Sequence, residues 1–478
     1  MNSQALSPQR KFKKTGLLRH IRSAHNDALN QSAPVTLTIS TNGRTPMSPL
    51  EDAFGSPFFN AVGPKSGIWQ QRWDNVCNLH GKMNDLPSGT ASRKFVHTLA
   101  DEIEHLTKST YPSERVLTFA AVILQRDKNV RKTKDVLRLL DRRLKLWTDE
   151  RFEELITESI KADKSLRNAG NRKRDDQDTK TFTRLIREAL NWLLTKDTYK
   201  VLNPDAEVDP SGKTVSYVLT EKHPPPTTPD HDLFTLPRND TELPPLLEVD
   251  ITSDHVETVA RKLHGGGGPT GSTAENWRDF LLRYGQASAL LREAVVQLTM
   301  KLSNETVPRS QIQALMSSRL VALDKCPCMR PIGIGECLRR ILSKCMIEAT
   351  SSEVTEACGQ LQLCSGLSSG IEGAVHAMKD AFQKECHPRS NWGMLLVDAN
   401  NAFNAVNRQL ELWQARIHWP HCARFLYNTY NGHAELVFRD SGTRLYMPLY
   451  ALATLPIINK LKSENTVTQC WYADDSSA

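Results

Sequence analysis

An aromatic, strand-forming run that ends on two neighbouring carboxylates admits few folds, and this chain carries one at Cys470-Trp471-Tyr472-Ala473-Asp474-Asp475. Adjacent aspartates repel each other unless a cation or a basic group neutralises them. The pair therefore belongs either at an exposed turn or at a site that gathers positive charge. A second segment favours the site. Met394-Leu395-Leu396-Val397 is a short apolar run that delivers Asp398 at its end, before Ala399-Asn400-Asn401-Ala402-Phe403-Asn404. Such a run reads as a buried strand that ends on an acid and then turns through small polar residues.

Carboxylates carried by two separate strands suit a particular chemistry. Nucleotidyl transfer uses two divalent ions close together, and hard cations such as magnesium select carboxylate oxygens. Asp398, Asp474 and Asp475 are the donors the chain offers for that purpose. Further upstream, the order of short motifs is more specific than any one of them. Leu323-Asp324-Lys325 leads to Arg330-Pro331-Ile332-Gly333-Ile334-Gly335, then to Leu338-Arg339-Arg340 and Lys344. Gln362-Leu363-Cys364-Ser365-Gly366 and Gly370 follow, before Ala374-Val375-His376-Ala377.

In that order, with Tyr472-Ala473-Asp474-Asp475 as its last word, the stretch from about Leu320 to Asp475 resembles the reverse transcriptases of non-LTR (LINE-like) retrotransposons. A weaker likeness at Glu221-Lys222-His223-Pro224-Pro225 and at Gly265 to Trp277 extends it toward residue 100. The resemblance implies an α+β fold: the fingers and palm of a right-hand polymerase, preceded by a mostly helical region. It implies RNA-directed DNA polymerisation with two Mg2+ ions, Mn2+ being the alternative. By it, Asp398 and Asp474 chelate the ions and Asp475 supports them. Lys325 and Arg330 would lie close to the incoming triphosphate, and Phe403 beneath the nucleotide sugar, where its bulk excludes a ribose 2′-hydroxyl. The partners it implies are an RNA template, a DNA primer or target, and deoxynucleoside triphosphates. Residue type alone leaves Phe403 equally fit for a core, and Lys325 and Arg330 equally fit for a solvated turn. His376 reads as a packing residue.

The chain departs from the family in two places. Arg444-Leu445-Tyr446 runs directly into Met447-Pro448-Leu449-Tyr450-Ala451, without the Gln-Gly-Asp-Pro-type block that family members carry there. After Asp475 only Ser476, Ser477 and Ala478 follow, which we expect to be too short for a returning strand. A truncated copy with an incomplete palm and no thumb, and weak or no polymerisation by this chain alone, is the expectation.

Before residue 320 composition sets most of the reading. Residues 1–30 hold Phe12, Leu17, His20 and His25, the second half of a Cys2His2 zinc-finger pattern; the first cysteine is Cys77, so no zinc is assigned. Residues 31–94, rich in Ser, Thr, Asn, Gly and Pro, read as a disordered linker. Residues 95–222 read as a basic helical region, with nine basic residues between Arg126 and Lys145 against Asp127, Asp135 and Asp141. Val136, Leu140 and Leu144 recur there at helical spacing, while Arg138, Arg142, Arg143 and Lys145 fill other faces. A second helical run spans Phe182 to Leu194.

Residues 223–245, with seven prolines from Pro224 on, read as a linker or an extended crossing. Residues 246–390 read as fingers and the region before them, and 391–478 as the partial palm. Gly266-x4-Gly271-Ser272-Thr273 has phosphate-loop spacing but lacks the lysine, so Ser272-x-x-Glu275 is read instead as a capping box before Trp277 and Phe280.

The net charge of +7 is compatible with a polyanionic partner and decides nothing alone. Ten cysteines without regular spacing, no signal-peptide pattern and no apolar run of membrane-spanning length lead us to expect an intracellular protein, nuclear or cytoplasmic, with reduced thiols and no membrane. Two other readings stay open. One is a noncatalytic relic that binds nucleic acid through Arg126–Lys145 and the fingers. The other is an interaction protein built on the helices from Phe95 to Leu194.

Overall fold

The computed structural model describes residues 48–58, 67–79, 82–170, 212–223, 227–237, 240–325, 328–359, 369–391, 396–398, 406–432, 434–437, 444–445, 470–472 and 475–477, with Leu202 and Gly393. His20, His25, the run Phe182–Leu194, Phe403 and Asp474 lie outside them. The fold is α+β and mostly helical, with short strands gathered in the carboxy-terminal part.

The first helices correct the reading of 31–94 as a linker. In α1 (Pro49–Phe54), Ser48 and Glu51 form a reciprocal capping box and a proline stands at the start, so the helix forms despite its brevity. Its Leu50 and Phe54 are buried, and the Phe54 ring stacks on Tyr427 with centroids 4.1 Å apart. The Tyr427 hydroxyl donates to the Ser56 carbonyl. α2 (Ile68–Cys77) buries Trp73, Val76 and Cys77. Polar composition hid these helices because only a few large side chains in each carry the docking.

α3 (Thr90–Thr107) turns Phe95, Val96, Leu99, Ile103 and Leu106 inward at helical spacing, and α4 (Ser113–Leu124) is buried along its whole length. Phe95 stacks on Phe119 and meets Phe280 edge-on, both at 5.1 Å. α5 (Thr133–Thr148) and α6 (Phe152–Gly170) close this side. Inside it, Glu102 accepts two bonds from Arg115, at 2.7 and 2.9 Å, and one from Trp147 Nε1 at 2.8 Å. A carboxylate and a guanidinium can both be buried here because each satisfies the other and the indole takes a further lone pair.

α7 (Val215–Lys222), α8 (Ser253–Arg261), α9 (Ala274–Leu282), α10 (Gln286–Asn304), the single turn α11 (Arg309–Ile312) and α12 (Cys337–Cys358) follow. α10 packs along α3, and one apolar core runs from Leu50 through Phe95, Phe280 and Leu342 to Tyr427. The composition boundaries at 94, 222 and 245 therefore do not divide this core. Residues 227–237 and 240–245 cross over it as a strap whose only regular piece is a 3-10 turn, His231–Leu233. Trp413 Nε1 donates to the Thr235 carbonyl and Phe234 meets the Trp413 ring edge-on, so the proline-rich stretch is the extended crossing, held in place.

The remaining helices are α13 (Gly370–Glu385), α14 (Arg408–His418) and α15 (Pro420–Tyr430). The strands form two sheets. β1 (Ser318–Lys325) pairs antiparallel with β2 (Cys328–Gly335) over its full length and parallel with β4 (Leu436–Val437), which pairs antiparallel with β5 (Arg444–Leu445). The second sheet has the order β3-β7-β6, from β3 (Leu396–Asp398), β7 (Asp475–Ser477) and β6 (Cys470–Tyr472). α13 packs beside β6. His376, expected to pack, is exposed on α13, as is Val375. Among the described residues, no helix is long and apolar enough to cross a membrane. Cys77, Cys337, Cys345, Cys358 and Cys422 are buried, and Cys386 is half-buried.

Candidate active site

Asp398 closes β3 and Asp475 opens β7, and the two are register partners: Leu396 faces Ser477, Val397 faces Ser476, and Asp398 faces Asp475. On the other side of β7, Tyr472 of β6 is the partner of Asp475. β6 and β7 thus pair antiparallel up to Tyr472 and Asp475. The returning strand expected to be too short does form. It has ladders on both sides, so each of its three residues has a register partner in β3 and another in β6, and length lost along the strand is regained across it.

The two cations expected near a triphosphate both belong to the β1–β2 hairpin of the other sheet. Leu323 is the register partner of Arg330 and Lys325 that of Cys328. Lys325 thus ends β1, and Arg330 lies on β2 opposite Leu323. Arg330 is exposed. The carboxylate pair and the cation pair belong to separate sheets. Neither Phe403 nor Asp474 is among the described residues.

Compared with known protein families and with curated proteins, the chain matches none. What can be said of the site therefore comes from its own residues.

The glycine-rich segment is a structural clamp. α9 is capped by Thr273, whose side chain and backbone bond Asn276, one residue later than the Ser272/Glu275 pairing expected. Ser272 is buried instead, its hydroxyl 3.7 Å from the Met83 sulfur. Gly267 and Gly268 lie so close to Gly271 and to Glu336 that a Cβ would stand 2.4 and 2.7 Å from their backbones. Glu336, 1% exposed at the corner between β2 and α12, accepts from the Thr270 amide at 2.8 Å and the Thr270 hydroxyl at 3.0 Å. Arg340 donates to the Gly266 carbonyl at 2.6 Å. The clamp thus anchors the base of the β1–β2 hairpin to the helical core. Sequence reading missed Glu336, although its position directly after the Arg330–Gly335 motif and before a helix was a visible signal.

The basic cluster is partly internal. Arg143 is 1% exposed, donating to the carbonyls of Ile123 and Gln125 at 3.1 and 2.6 Å and to Glu158 at 2.8 Å. Burial lowers its pKa and Glu158 opposes that shift. Arg142 takes the other Glu158 oxygen. Residue 143 lies three after Leu140 and four before Trp147, so the helix period itself puts it on the inward face. Arg126, Lys128, Arg131, Lys132 and Lys134 are exposed.

Proposed function

We propose that this chain is an RNA-directed DNA polymerase of LINE-like lineage, with Asp398, Asp474 and Asp475 as its metal-binding carboxylates. The observation that carries the reading is the register pairing of Asp398 with Asp475, two acids 77 positions apart that sequence order alone had matched to one site. Directly opposed positions of an antiparallel pair lie on one face with Cβ atoms roughly 5 Å apart, a span that one shared cation bridges. Two carboxylates at that spacing cannot both stay charged without positive charge between them, so the donor set fits magnesium or manganese, with Asp474 in the adjoining connection as third donor. When bound, the ions supply charge neutralisation for the attacking and leaving oxygens.

The remaining roles fall to the chain's own residues. Lys325 and Arg330, both on the β1–β2 hairpin, would hold the triphosphate; a guanidinium suits phosphate oxygens bidentately. Phe403 would limit the sugar to a deoxyribose. RNA template, DNA primer and deoxynucleoside triphosphates are the proposed partners. The lack of a Gln-Gly-Asp-Pro-type block between Tyr446 and Met447 is expected to keep the rate low, because that block would support the template.

Primer extension on an RNA template with magnesium tests this. We expect weak incorporation, abolished by Asp398→Asn, with thermal stability retained. Absence of incorporation by the unaltered chain, or incorporation that survives D398N, overturns the polymerase reading. In the first case, RNA binding that falls steeply with salt favours the noncatalytic relic.

A further inference from the structure

Among the described residues of α13 none is buried. Ala374, Met378 and Ala381 are half-buried, while Val375 and Phe382 stand 61% and 44% exposed. At roughly 100° per residue, Val375, Met378 and Phe382 fall within an arc of about 60°. Their spacing, three residues and then four, is that of the apolar positions of a heptad, the pattern by which two helices form a seam. Glu372 and Lys379 flank this stripe on the edge away from Ala374 and Ala381. Both are exposed, and neither has an ion-pair partner among the described residues. A valine and a phenylalanine left in water two turns apart on one face, rimmed by charge, mark an interaction surface.

We propose that this face of α13 seats a second copy of the chain, the two helices running antiparallel about a two-fold axis. The face is complementary to its own reverse. When Val375 lies opposite Met378 of the second copy, Phe382 reaches the first turn of the second helix. In that alignment Glu372 stands two residues, about 3 Å along the axis, from Lys379 of the second copy, a gap that two long side chains close. The two-fold axis repeats every contact, so both opposite-charge pairs form. A parallel pair would instead set Glu372 level with Glu372 and Lys379 level with Lys379. The match between two charges of one helix selects a second copy, since a partner of another kind would require no such match. α13 has 16 residues and is about 24 Å long, short for a specific interface, so the association belongs to micromolar rather than nanomolar concentrations. It uses no residue of the carboxylate site and does not depend on the polymerase reading.

The test is sedimentation equilibrium of the full chain over a micromolar concentration series. The parent should pass from monomer to dimer, and Val375→Glu with Phe382→Glu should hold it monomeric while its circular dichroism stays that of the parent. Glu372→Lys alone and Lys379→Glu alone should each raise the dimer Kd roughly tenfold, because two attractive rim pairs become two repulsive ones. An equimolar mixture of those two single variants should associate as well as the parent, since each then meets its opposite charge. A parent that stays monomeric throughout the series overturns the proposal, and so does a dimer that survives V375E with F382E. A mixture of E372K and K379E that associates no better than either variant alone overturns the antiparallel pairing.

Discussion

Glu114 offers the clearest link between burial and a measurable property. It stands in the first turn of α4, 4% exposed, beside Ser113 and within electrostatic range of Asp74. Burial removes the water that stabilises its charged form and pushes its carboxyl up to about 7 from an ordinary 4.5. Bonds from its own amide, the Ser113 hydroxyl and the Ala314 amide pull the other way without winning, and the Asp74 charge adds to the rise. A difference of roughly 2.5 units at about 1.36 kcal/mol each amounts to about 3 kcal/mol. The folded pKa is raised above the unfolded one, so this stability is complete below about pH 4.5 and is lost as pH climbs through about 7. Above that, the folded state holds a buried carboxylate that the unfolded chain would solvate.

Glu114→Gln keeps the shape and removes the titration. Urea unfolding followed by tryptophan fluorescence should therefore find the variant and the parent equal near the acidic end of that window. They should diverge as pH rises, until at pH 8 the glutamine form is more stable by about 3 kcal/mol, a large part of a typical domain's total. A constant difference across the window, or a glutamine form that is the less stable one at pH 8, would refute the reasoning.

Two further substitutions probe the clamp and the inward arginine. Gly268→Ala would drive a Cβ to 2.7 Å from the Glu336 backbone, where nothing flexible can yield, and should lower stability by about 1–3 kcal/mol; Gly373→Ala, in α13 with nothing within 4 Å, should be neutral or slightly stabilising in the same thermal melt. Arg143→Met strips a donor from the Ile123 and Gln125 carbonyls and from Glu158 at once, and should cost about 3–5 kcal/mol in urea unfolding, whereas Arg138→Met on the exposed face should cost less than about 1.

The strands that end on Asp398 and lead toward Asp474 were legible in the sequence. The apolar run before Asp398 and the aromatic run before Asp474 both announced strands, because a strand's character lies in consecutive residues. The helices α3, α5 and α9 were likewise visible in their apolar spacing, with the cap of α9 displaced by one position. Local chemistry sufficed there, since the groups that decide the conformation are neighbours in the chain.

Tertiary structure decided the rest. That Asp398 and Asp475 are register partners depends on β7 lying between β3 and β6, a pairing across 77 positions that no local pattern encodes. The helices at 49–54 and 68–77, hidden in polar sequence, exist because Phe54 finds Tyr427 and Trp73 finds a buried site. The helix period turns Arg143 inward, but a cation can stay there only because Glu158 and two carbonyls surround it. In each case the stabilising partner lies far away in the chain, and burial free energy depends on what surrounds a group in space.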